Sequence, residues 1–417
     1  MNYKKLAIAG ASLALALTIA GCGKKEEAKN AAPAPAAAAK QYDEGASDTE
    51  IKIGNINPYS GPASAYGTIG KAIAAYFKMV NDNGGINGRK IDFISLDDGY
   101  SPPKTVEQAR KLVEQDKVLL IFQSLGTPTN TAIHKYMNEK KVPQLFVATG
   151  AGKWNDPEHY PWTMGWQPSY PGEAEIYAAW LLKNKPDAKV GILYQNDDYG
   201  KDYLNGFLKG LGDKAKTMVV DKESYEVTDP TIDSQIIKLK NSGADTFFNI
   251  TTPKFAAQAI RAAYDTGWKP LQFLNNVSQS IGGVLKPAGL EKSKGLITTY
   301  YLKDPTDPQW KDDPDVKAWF AWMDKYLPGG DKNSSFNVYG YAVANTMEQV
   351  LKQAGDNLTR KHIMDVASHL NHLKVPLLLP GIDIDTSPTD FAPIQCEQLT
   401  KFDGEKWVPF GGVICPE

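Results

Sequence analysis

Few residues of this sequence stand at spacings that catalysis or metal binding requires. Of the five histidines, His369 and His372 are near neighbours, but no cysteine or carboxylate stands at ligand spacing from them. Neither a G-x-S-x-G nor a G-x-x-x-x-G-K-[ST] motif occurs. Asp97 and Asp98 could form an acid pair, but adjacent residues of an extended chain point to opposite sides, so we expect them to accept hydrogen bonds from backbone groups. We therefore expect a protein that is not an enzyme, with no metal site and no cofactor.

The first 22 residues carry the pattern of an export signal. Lys4 and Lys5 precede an apolar run from Leu6 to Ala20, which has the length of a secretory signal core and is shorter than a membrane-spanning helix. The run ends in Ile-Ala-Gly-Cys, and small residues before a single cysteine resemble the bacterial lipobox. Residues 1–21 are therefore predicted to be a lipoprotein signal peptide and Cys22 to be lipidated. The alternative is an ordinary signal peptide with an incidental cysteine.

Composition separates the next segment from the rest of the chain. Residues 22–48 are rich in Ala, Lys, Glu and Pro, with too few large apolar residues to bury, and are predicted to be a flexible linker. The chain from Thr49 to Glu417 exceeds the length that one hydrophobic core organises, so two domains are expected. The formal charge is −2 and there is no block of basic residues, which disfavours nucleic acid as a partner.

Cys396 and Cys415 are the remaining cysteines. In the oxidising compartment that export implies, such a pair predicts a disulfide, with two free thiols as the alternative. Closing a loop of this length would stabilise the fold by roughly 3 kcal/mol. Two thiols without nearby histidines supply too few ligands for a metal ion.

Apolar strands alternate with amphipathic helices after the linker. A strand at 51–56 precedes a helix over 67–81, which ends at the Asn-Gly-Gly turn. The alternation restarts after a break near 165–171, so two doubly wound parallel-sheet α/β lobes are predicted. Three more helices and a hairpin around Asp403-Gly404 follow, at 316–326, 339–354, 361–367 and 398–408.

Loops after the strands are the places where a ligand would bind, because open parallel sheets bind ligands at the carboxyl ends of their strands. Two of these loops, around Thr127 and Thr149, carry small and hydroxyl residues next to predicted helices, which favours a carboxylate. Aromatic residues also concentrate in or near predicted loops, where they can supply apolar contact with a polar tip. They are Tyr59, Tyr66, Trp154, Trp162, Trp166, Tyr170, Tyr199, Tyr300 and Tyr301.

The chain resembles the leucine/isoleucine/valine-binding family of type I periplasmic binding proteins, the receptors of ATP-driven importers. The resemblance covers nearly all of 51–410 and rests on short motifs. These are Ser60-Gly61-Pro62 with Tyr66, the Asn83-Gly84-Gly85-Ile86-Asn87-Gly88 turn, Leu96-Asp97-Asp98, Asp198-Tyr199-Gly200, Gly267-Trp268 and Phe402-Asp403-Gly404. The resemblance implies two lobes joined by three hinge crossings that close over a ligand. Lobe 1 would hold 49–167 and 300–390, and lobe 2 would hold 168–299 and 391–417.

The resemblance also implies where the ligand lies. Its carboxylate would meet Gly126, Thr127 and the strand end at 148–150, with Tyr66 as an aromatic wall and Tyr199 reaching in from the second lobe. The full candidate set is Tyr59, Tyr66, Ser124, Leu125, Gly126, Thr127, Ala148, Thr149, Gly150, Trp166, Tyr199, Thr251, Thr252, Asn275, Asn276 and Tyr301.

One departure from the family bears on the ligand. Amino-acid binders of the family place an acid after the strand equivalent to 272–274, where it pairs with the ligand's ammonium, but the loop here is Asn275-Asn276-Val277-Ser278-Gln279. A buried ammonium without a partner costs several kcal/mol. We therefore expect an apolar, aromatic carboxylate without an amino group. Asp198 or Glu173 could still reach an ammonium, so branched-chain or other neutral amino acids or amides remain the alternative.

The resemblance implies partners and a location as well. The protein would be a monomer that works with the permease and ATPase subunits of an ABC importer, anchored to a membrane by lipid and located in the periplasm. A sensor that reports its ligand to a signalling receptor is a further alternative, because the same fold serves both roles.

Overall fold

The structure, a computed structural model, describes residues 40–416. The signal peptide, Cys22 and the part of the linker up to residue 39 lie outside the described residues. The strands are β1 Gln41–Tyr42, β2 Glu50–Asn57, β3 Lys90–Asp97, β4 Leu120–Phe122, β5 Gln144–Val147, β6 Thr163–Gly165, β7 Val190–Gln195, β8 Val219–Tyr225, β9 Thr246–Ile250, β10 Leu271–Leu274, β11 Ile297–Tyr300, β12 Asn357–Leu358, β13 Glu397–Phe402 and β14 Trp407–Ile414. The α-helices are α1 Gly67–Asp82, α2 Pro102–Arg110, α3 Thr127–Lys140, α4 Tyr170–Asn184, α5 Asp198–Leu211, α6 Ala215–Met218, α7 Asp233–Asn241, α8 Pro253–Asp265, α9 Lys286–Ala288, α10 Leu290–Ser293, α11 Pro314–Tyr326, α12 Ser335–Ala354 and α13 Arg360–Ala367.

Two large sheets organise the described chain. The first has five parallel strands in the order β3-β2-β4-β5-β6. The second has seven strands in the order β14-β13-β11-β10-β9-β7-β8. Strands β13 and β14 form the predicted antiparallel hairpin at one edge of this sheet. Helices α1 and α12 pack on one face of the first sheet and α2 and α3 on the other, while α4 and α5 face α7 and α8 across the second. The predicted doubly wound α/β fold class is confirmed.

Burial on both faces explains the composition of the central strands. In β2, every residue from Ile53 to Asn57 is buried, because helices cover both sides of the sheet.

The turn after α1 needs glycine for a steric reason. Gly85 has φ +80°, and a Cβ there would lie 2.0 Å from the carbonyl oxygen of Arg89.

The helices that follow β11 return to the first lobe, which we define as the five-stranded sheet with its helices. Helix α12 packs closely against α1, because Gly340 leaves room that a Cβ would fill at 2.7 Å from the Cβ of Ala72. Tyr76 of α1 also donates a hydrogen bond to the Glu348 carboxylate of α12 at 2.5 Å. The second lobe is the seven-stranded sheet with its helices.

The chain passes between the lobes three times, between β6 and α4, after β11, and between Pro393 and β13. The second crossing pairs with the segment that follows α13. The Lys303 amide donates to the Leu377 carbonyl oxygen at 2.7 Å, and the Leu379 amide donates to the Tyr301 carbonyl oxygen at 3.0 Å. The second crossing is therefore held beside the segment 377–379. The finer lobe boundaries at 167, 299 and 390 stay a prediction.

The predicted linker ends earlier than residue 48. Residues 41–42 form β1, which pairs in parallel with β12, and the ring of Tyr42 lies 5.3 Å from the guanidinium carbon of buried Arg89. Backbone pairing and this cation–π contact hold residues 40–48 on the first lobe, so the prediction that they belong to a flexible linker is wrong.

The predicted disulfide is present between Cys396, which precedes β13, and Cys415, which follows β14. It joins the two ends of the hairpin. Among residues 40–416, no helix has both the length and the apolar character needed to cross a membrane.

Candidate ligand-binding site

A cleft lies between the carboxyl ends of the strands of the two sheets. Its first-lobe wall contains Leu125–Thr127, after β4, and Ala148, after β5. Its second-lobe wall contains Tyr199 after β7, Thr252 after β9 and Asn276 after β10. This is the edge where open parallel sheets bind ligands. The cleft holds about 950 Å³, counting the open space at its mouth.

The two lobes touch on either side of the cleft. The Gly152 amide of the first lobe donates to the Asp202 carboxylate of the second at 2.9 Å. At another point, the Gly282 amide of the second lobe donates to the Asn333 carbonyl oxygen of the first at 3.0 Å. The structure is therefore that of the closed cleft.

Eight aromatic side chains line the cleft, namely Tyr66, Tyr100, Tyr170, Tyr199, Tyr300, Tyr301, Phe336 and Tyr339. Tyr66 and Phe336 pack edge to face with ring centroids 5.3 Å apart, and Tyr170 and Tyr199 do so at 5.4 Å. Burial raises the pKa of the Tyr66 and Tyr100 hydroxyls well above the ordinary value for tyrosine, so both hydroxyls stay neutral and can donate hydrogen bonds. The walls thus favour a flat apolar body with polar groups at its edge.

The first-lobe wall offers polar groups suited to an anion. The hydroxyls of Thr127 and Thr149 lie 2.6 Å apart and are buried. The Gly126 amide donates to the Ala148 carbonyl oxygen at 3.2 Å, so it is already used within the fold. The Thr127 amide begins α3 and makes no hydrogen bond to any residue from 40 to 416. A carboxylate oxygen could accept from this amide and from the Thr127 hydroxyl, because the Thr149 hydroxyl can be the donor within the threonine pair.

The loop after β10 presents amides where family members that bind amino acids present an acid. The Asn275 side-chain amide donates to the Tyr199 hydroxyl at 2.7 Å, and its carbonyl oxygen accepts from the Thr251 amide at 3.2 Å. Both ends of this side chain are therefore engaged. Residues 275–279 include no aspartate or glutamate, so this loop presents no carboxylate to the cleft.

The two acids considered as substitutes are also occupied. Asp198 pairs with Lys153 at 2.6 Å. Glu173 is buried and accepts from the Tyr203 hydroxyl at 2.5 Å and the Asn276 amide at 2.7 Å. Neither carboxylate lines the cleft.

The structure brings nine of the predicted site residues together on the surface of the cleft. They are Tyr66, Leu125, Gly126, Thr127, Ala148, Tyr199, Thr252, Asn276 and Tyr301. That each of them contacts a ligand stays a prediction.

The other seven predicted residues lie in the expected loops but behind the cleft surface. They are Tyr59, Ser124, Thr149, Gly150, Trp166, Thr251 and Asn275. The Trp166 indole donates to Thr346 at 3.0 Å inside the first lobe, and the Tyr59 and Ser95 hydroxyls lie 2.5 Å apart. Thr251 donates to the Asn249 side chain at 2.6 Å. These contacts lie within the lobes, so the residues that make them support the wall from behind.

Several lining residues were missed. Tyr100 follows the strand end Asp97-Asp98-Gly99 with φ +63°, a turn conformation that directs its ring at Gly126. Phe336 and Tyr339 lie at the start of α12. The sequence pattern predicts that this helix begins only at Tyr339, whereas it begins at Ser335. Asp304, on the second crossing, is a carboxylate that lines the cleft and that we did not predict. The clustering of aromatic residues near 300 was the only sequence signal for this part of the wall.

Asp97 and Asp98 accept hydrogen bonds from backbone amides, as predicted. Asp97 accepts from the Tyr59 amide at 2.9 Å, and Asp98 accepts from the Tyr100 amide at 2.9 Å. They therefore fix the two turns that carry cleft residues.

One group of metal-ligand type occurs among the described residues. His372 lies 3.4 Å from both Asp383 and Asp385, which the sequence spacing did not indicate, because an antiparallel bridge between Leu373 and Ile384 brings the segments together. Lys374 already pairs with Asp383, which competes with any cation there. The group lies outside the cleft.

Comparisons with known proteins agree with this geometry. The profile of a family described as periplasmic binding protein matches residues 50–406. The Leu/Ile/Val-binding protein homolog 1 of Brucella suis biovar 1 (strain 1330) is 24% identical over 321 residues, which cover 75% of this chain and 81% of that protein.

Two solved structures have the same fold. A branched chain amino acid ABC transporter protein from Thermus thermophilus with bound valine superposes with a TM-score of 0.79 at 16% identity, covering 88% of this chain and 97% of that one. A fatty acid ABC transporter substrate-binding protein from Thermomonospora curvata superposes with a TM-score of 0.76 at 22% identity, covering 91% and 95%.

The profile match spans most of the chain, and the two lobes, the three crossings and the interlobe cleft are what the match implies. The chain belongs to the periplasmic binding protein family.

Proposed function

We propose that this protein is the extracytoplasmic solute-binding lipoprotein of an ABC importer, which captures a small apolar, aromatic carboxylate between two closing lobes. The observation that carries the proposal is the closed interlobe cleft, which is lined by eight aromatic side chains and has the free amide of Thr127 at its first-lobe end. The names of the similar proteins from Thermus and Thermomonospora support a role in ABC transport.

The second-lobe wall disfavours an amino group in the ligand. On this wall an α-ammonium would meet the side-chain amide of Asn276, which carries no negative charge to pair with a cation and whose nitrogen donates to the Thr299 carbonyl oxygen. An unpaired buried ammonium weakens binding by several kcal/mol, and each 1.4 kcal/mol is about a factor of ten in affinity. A carboxylate with an aromatic body leaves no such group unpaired.

The main alternative is a branched-chain or other neutral amino acid or amide. It is favoured by the names of the Brucella relative and of the valine-bound structure. A ligand sensor for a signalling receptor is the second alternative, since closure over a ligand would serve it equally.

The anchor and the partners are also part of the proposal. Cys22 would carry the lipid that holds the monomer at a membrane in the periplasm, where it would deliver ligand to permease and ATPase subunits. Mass spectrometry of the protein from its native membrane tests the anchor: a diacylated Cys22 at the new N-terminus is expected, and an unmodified Cys22 would refute it.

The ligand class is tested by a thermal-shift screen of the purified protein. One panel holds aromatic and aliphatic carboxylates, and the other holds branched-chain and aromatic amino acids matched to them in side chain. A ligand at 100 times its Kd adds about 2.7 kcal/mol to the free energy of unfolding. A shift with the acids alone supports the proposal. A shift with leucine or valine contradicts the amino-free ligand class, and silence from both panels contradicts the ligand class as a whole.

A further inference from the structure

The cleft has a second polar end, formed by Asp304 and Gln279. Both residues line the cleft, as does Tyr300, whose ring centroid lies 6.1 Å from that of Trp407. The Trp407 indole donates to the Gln279 carbonyl oxygen at 3.0 Å, and Asp304 is four residues beyond Tyr300 on the second crossing.

Both side chains at this end offer free acceptor oxygens. One carboxylate oxygen of Asp304 accepts from the Thr306 amide at 2.9 Å and from the Thr306 hydroxyl at 2.7 Å. Its second oxygen accepts no hydrogen bond from residues 40–416. The Gln279 side-chain oxygen is buried and likewise has no partner among the described residues. The buried Gln279 oxygen is costly without a partner, and the half-buried Asp304 carboxylate offers an open acceptor, so a ligand donor at this end would be favoured.

The lysines around this end already have carboxylate partners. Lys303 pairs with Asp313 at 2.7 Å. Lys406 pairs with Asp307 at 2.9 Å. No lysine, arginine or histidine of the described chain lies within ion-pair distance of Asp304 itself. The local charge therefore favours a hydrogen-bond donor or a cation rather than a second anion.

This end and the wall suited to a carboxylate are built by different segments of the chain. The second crossing is extended where it pairs with 377–379, so Asp304 lies roughly 10 Å along the chain from Tyr301 at about 3.3 Å per residue. On the other wall, the Tyr100 ring lies against Gly126, and Tyr66 packs on Phe336, the second residue of α12. The two polar groups are thus carried by different segments, and eight aromatic side chains line the same cleft.

Resting on the proposed function, we propose that the ligand is elongated, with its carboxylate at the Thr127 end and a hydroxyl or amino group at the opposite end of its apolar body, where Asp304 and Gln279 accept from it. An α-amino acid does not fit this pattern, because its ammonium and carboxylate are on the same carbon. The chemical class is an aromatic or aliphatic acid with a remote hydrogen-bond donor.

The test compares acids that differ only in the remote donor. Isothermal titration calorimetry would measure the Kd of 3-(4-hydroxyphenyl)propanoate against 3-phenylpropanoate, and of 6-aminohexanoate against hexanoate. A hydrogen bond to a charged acceptor predicts a preference of roughly tenfold or more for the donor-bearing member of a pair that binds. Because each ratio is taken on one protein, effects of a variant on folding cancel.

The variant Asp304→Asn turns the free oxygen into a donor group while its other oxygen can still accept from Thr306. In this variant the preference ratio is expected to fall to about one. In Gln279→Leu the ratio is expected to fall only part of the way. Asp213→Asn, which removes an equal charge at an exposed position, should keep the full ratio. Equal affinities for both members of a pair, or a ratio unchanged by Asp304→Asn, would overturn the inference while the proposed function stands. If no acid of either pair binds, the proposed ligand class fails, and this inference fails with it.

Discussion

The Tyr66 hydroxyl of the first lobe donates a hydrogen bond to the Val277 carbonyl oxygen of the second lobe at 3.1 Å. Tyr66 stands directly before α1, and Val277 lies in the loop after β10. Both residues line the cleft, so this bond joins the two walls at the place where a ligand would lie. It exists only when the lobes are closed, which makes it a contribution to closure rather than to the stability of either lobe.

Replacing Tyr66 with phenylalanine should weaken ligand binding about twofold to tenfold. The ring and its packing on Phe336 remain, and one hydrogen bond worth about 0.5–1.5 kcal/mol is lost from the closed state. Calorimetry of the ligand found in the screen measures the effect. Tyr136→Phe, which removes an exposed hydroxyl bonded to Glu114, is the matched control and should bind normally. Unchanged affinity in Tyr66→Phe would mean that the bond adds nothing to closure.

Gly126→Ala should abolish or strongly weaken binding and destabilise the first lobe. Gly126 has φ +101°, and a Cβ would lie 2.5 Å from the Tyr100 ring and 2.6 Å from the Thr129 hydroxyl. Overpacking of this kind costs about 1–3 kcal/mol in addition to the strain of a positive φ. Gly295→Ala is the control, since Gly295 has φ +95° and open space around it. Equal losses of melting temperature in the two variants would show that backbone strain alone matters at Gly126.

The sequence periodicity located the elements of the fold well, and the direction of side chains poorly. Strand β9 has the predicted bounds 246–250, and all five of its residues are buried, as expected of a central strand covered by helices on both faces. Helix α12 begins at Ser335, four residues earlier than predicted, because Phe336 and Val338 there are apolar without the spacing of the later stripe. The prediction therefore missed that this turn faces the cleft.

The loops of the site were predictable from strand ends, but their individual contacts were not. Thr251 and Thr252 are neighbours after the same strand, yet only Thr252 lines the cleft. Asp304 belongs to a hinge crossing whose path depends on pairing with Leu377 and Leu379, far away in sequence. Tertiary pairing of this kind leaves no local pattern to interpret.

Removing the disulfide by the double substitution Cys396→Ala, Cys415→Ala should loosen the hairpin of β13 and β14. The bond closes a loop with a separation of 19 residues, so its loss costs roughly 3 kcal/mol against unfolding of the hairpin. Hydrogen exchange of the amides in 397–414 should quicken, while exchange in β2 of the first lobe, the internal control, stays the same. Identical exchange in both proteins would mean that sheet pairing alone holds the hairpin.

A pair of buried carboxyls lies where the crossings enter the second lobe. Glu173 is in the first turn of α4 after the first crossing, and Glu397 begins β13 after the third. Burial raises the pKa of Glu397 well above its usual range, and the negative charge of Glu173 raises it further. Burial also raises the pKa of Glu173, against the hydrogen bonds from Tyr203, Tyr177 and the Asn276 amide that favour its charged form. The Thr299 hydroxyl donates to Glu397 at 2.6 Å, and no lysine or arginine of the described chain pairs with either carboxyl.

The pair should make the protein less stable as pH rises from about 4.5 through neutrality. The folded state holds protons on these carboxyls that the unfolded chain, with ordinary carboxyl pKa values near 4.3, releases, so the free energy of unfolding falls by about 1.4 kcal/mol per unit of pKa difference. Glu397→Gln cannot ionise, and its amide can still accept from Thr299 and donate towards Glu173. We expect its melting temperature to depend less on pH than that of the wild type, with the variant more stable above neutral pH. Glu139→Gln, an exposed carboxyl next to Lys135, should follow the wild-type curve. If the curves of wild type and Glu397→Gln run parallel from pH 4.5 to 8, Glu397 does not hold a proton in the folded state.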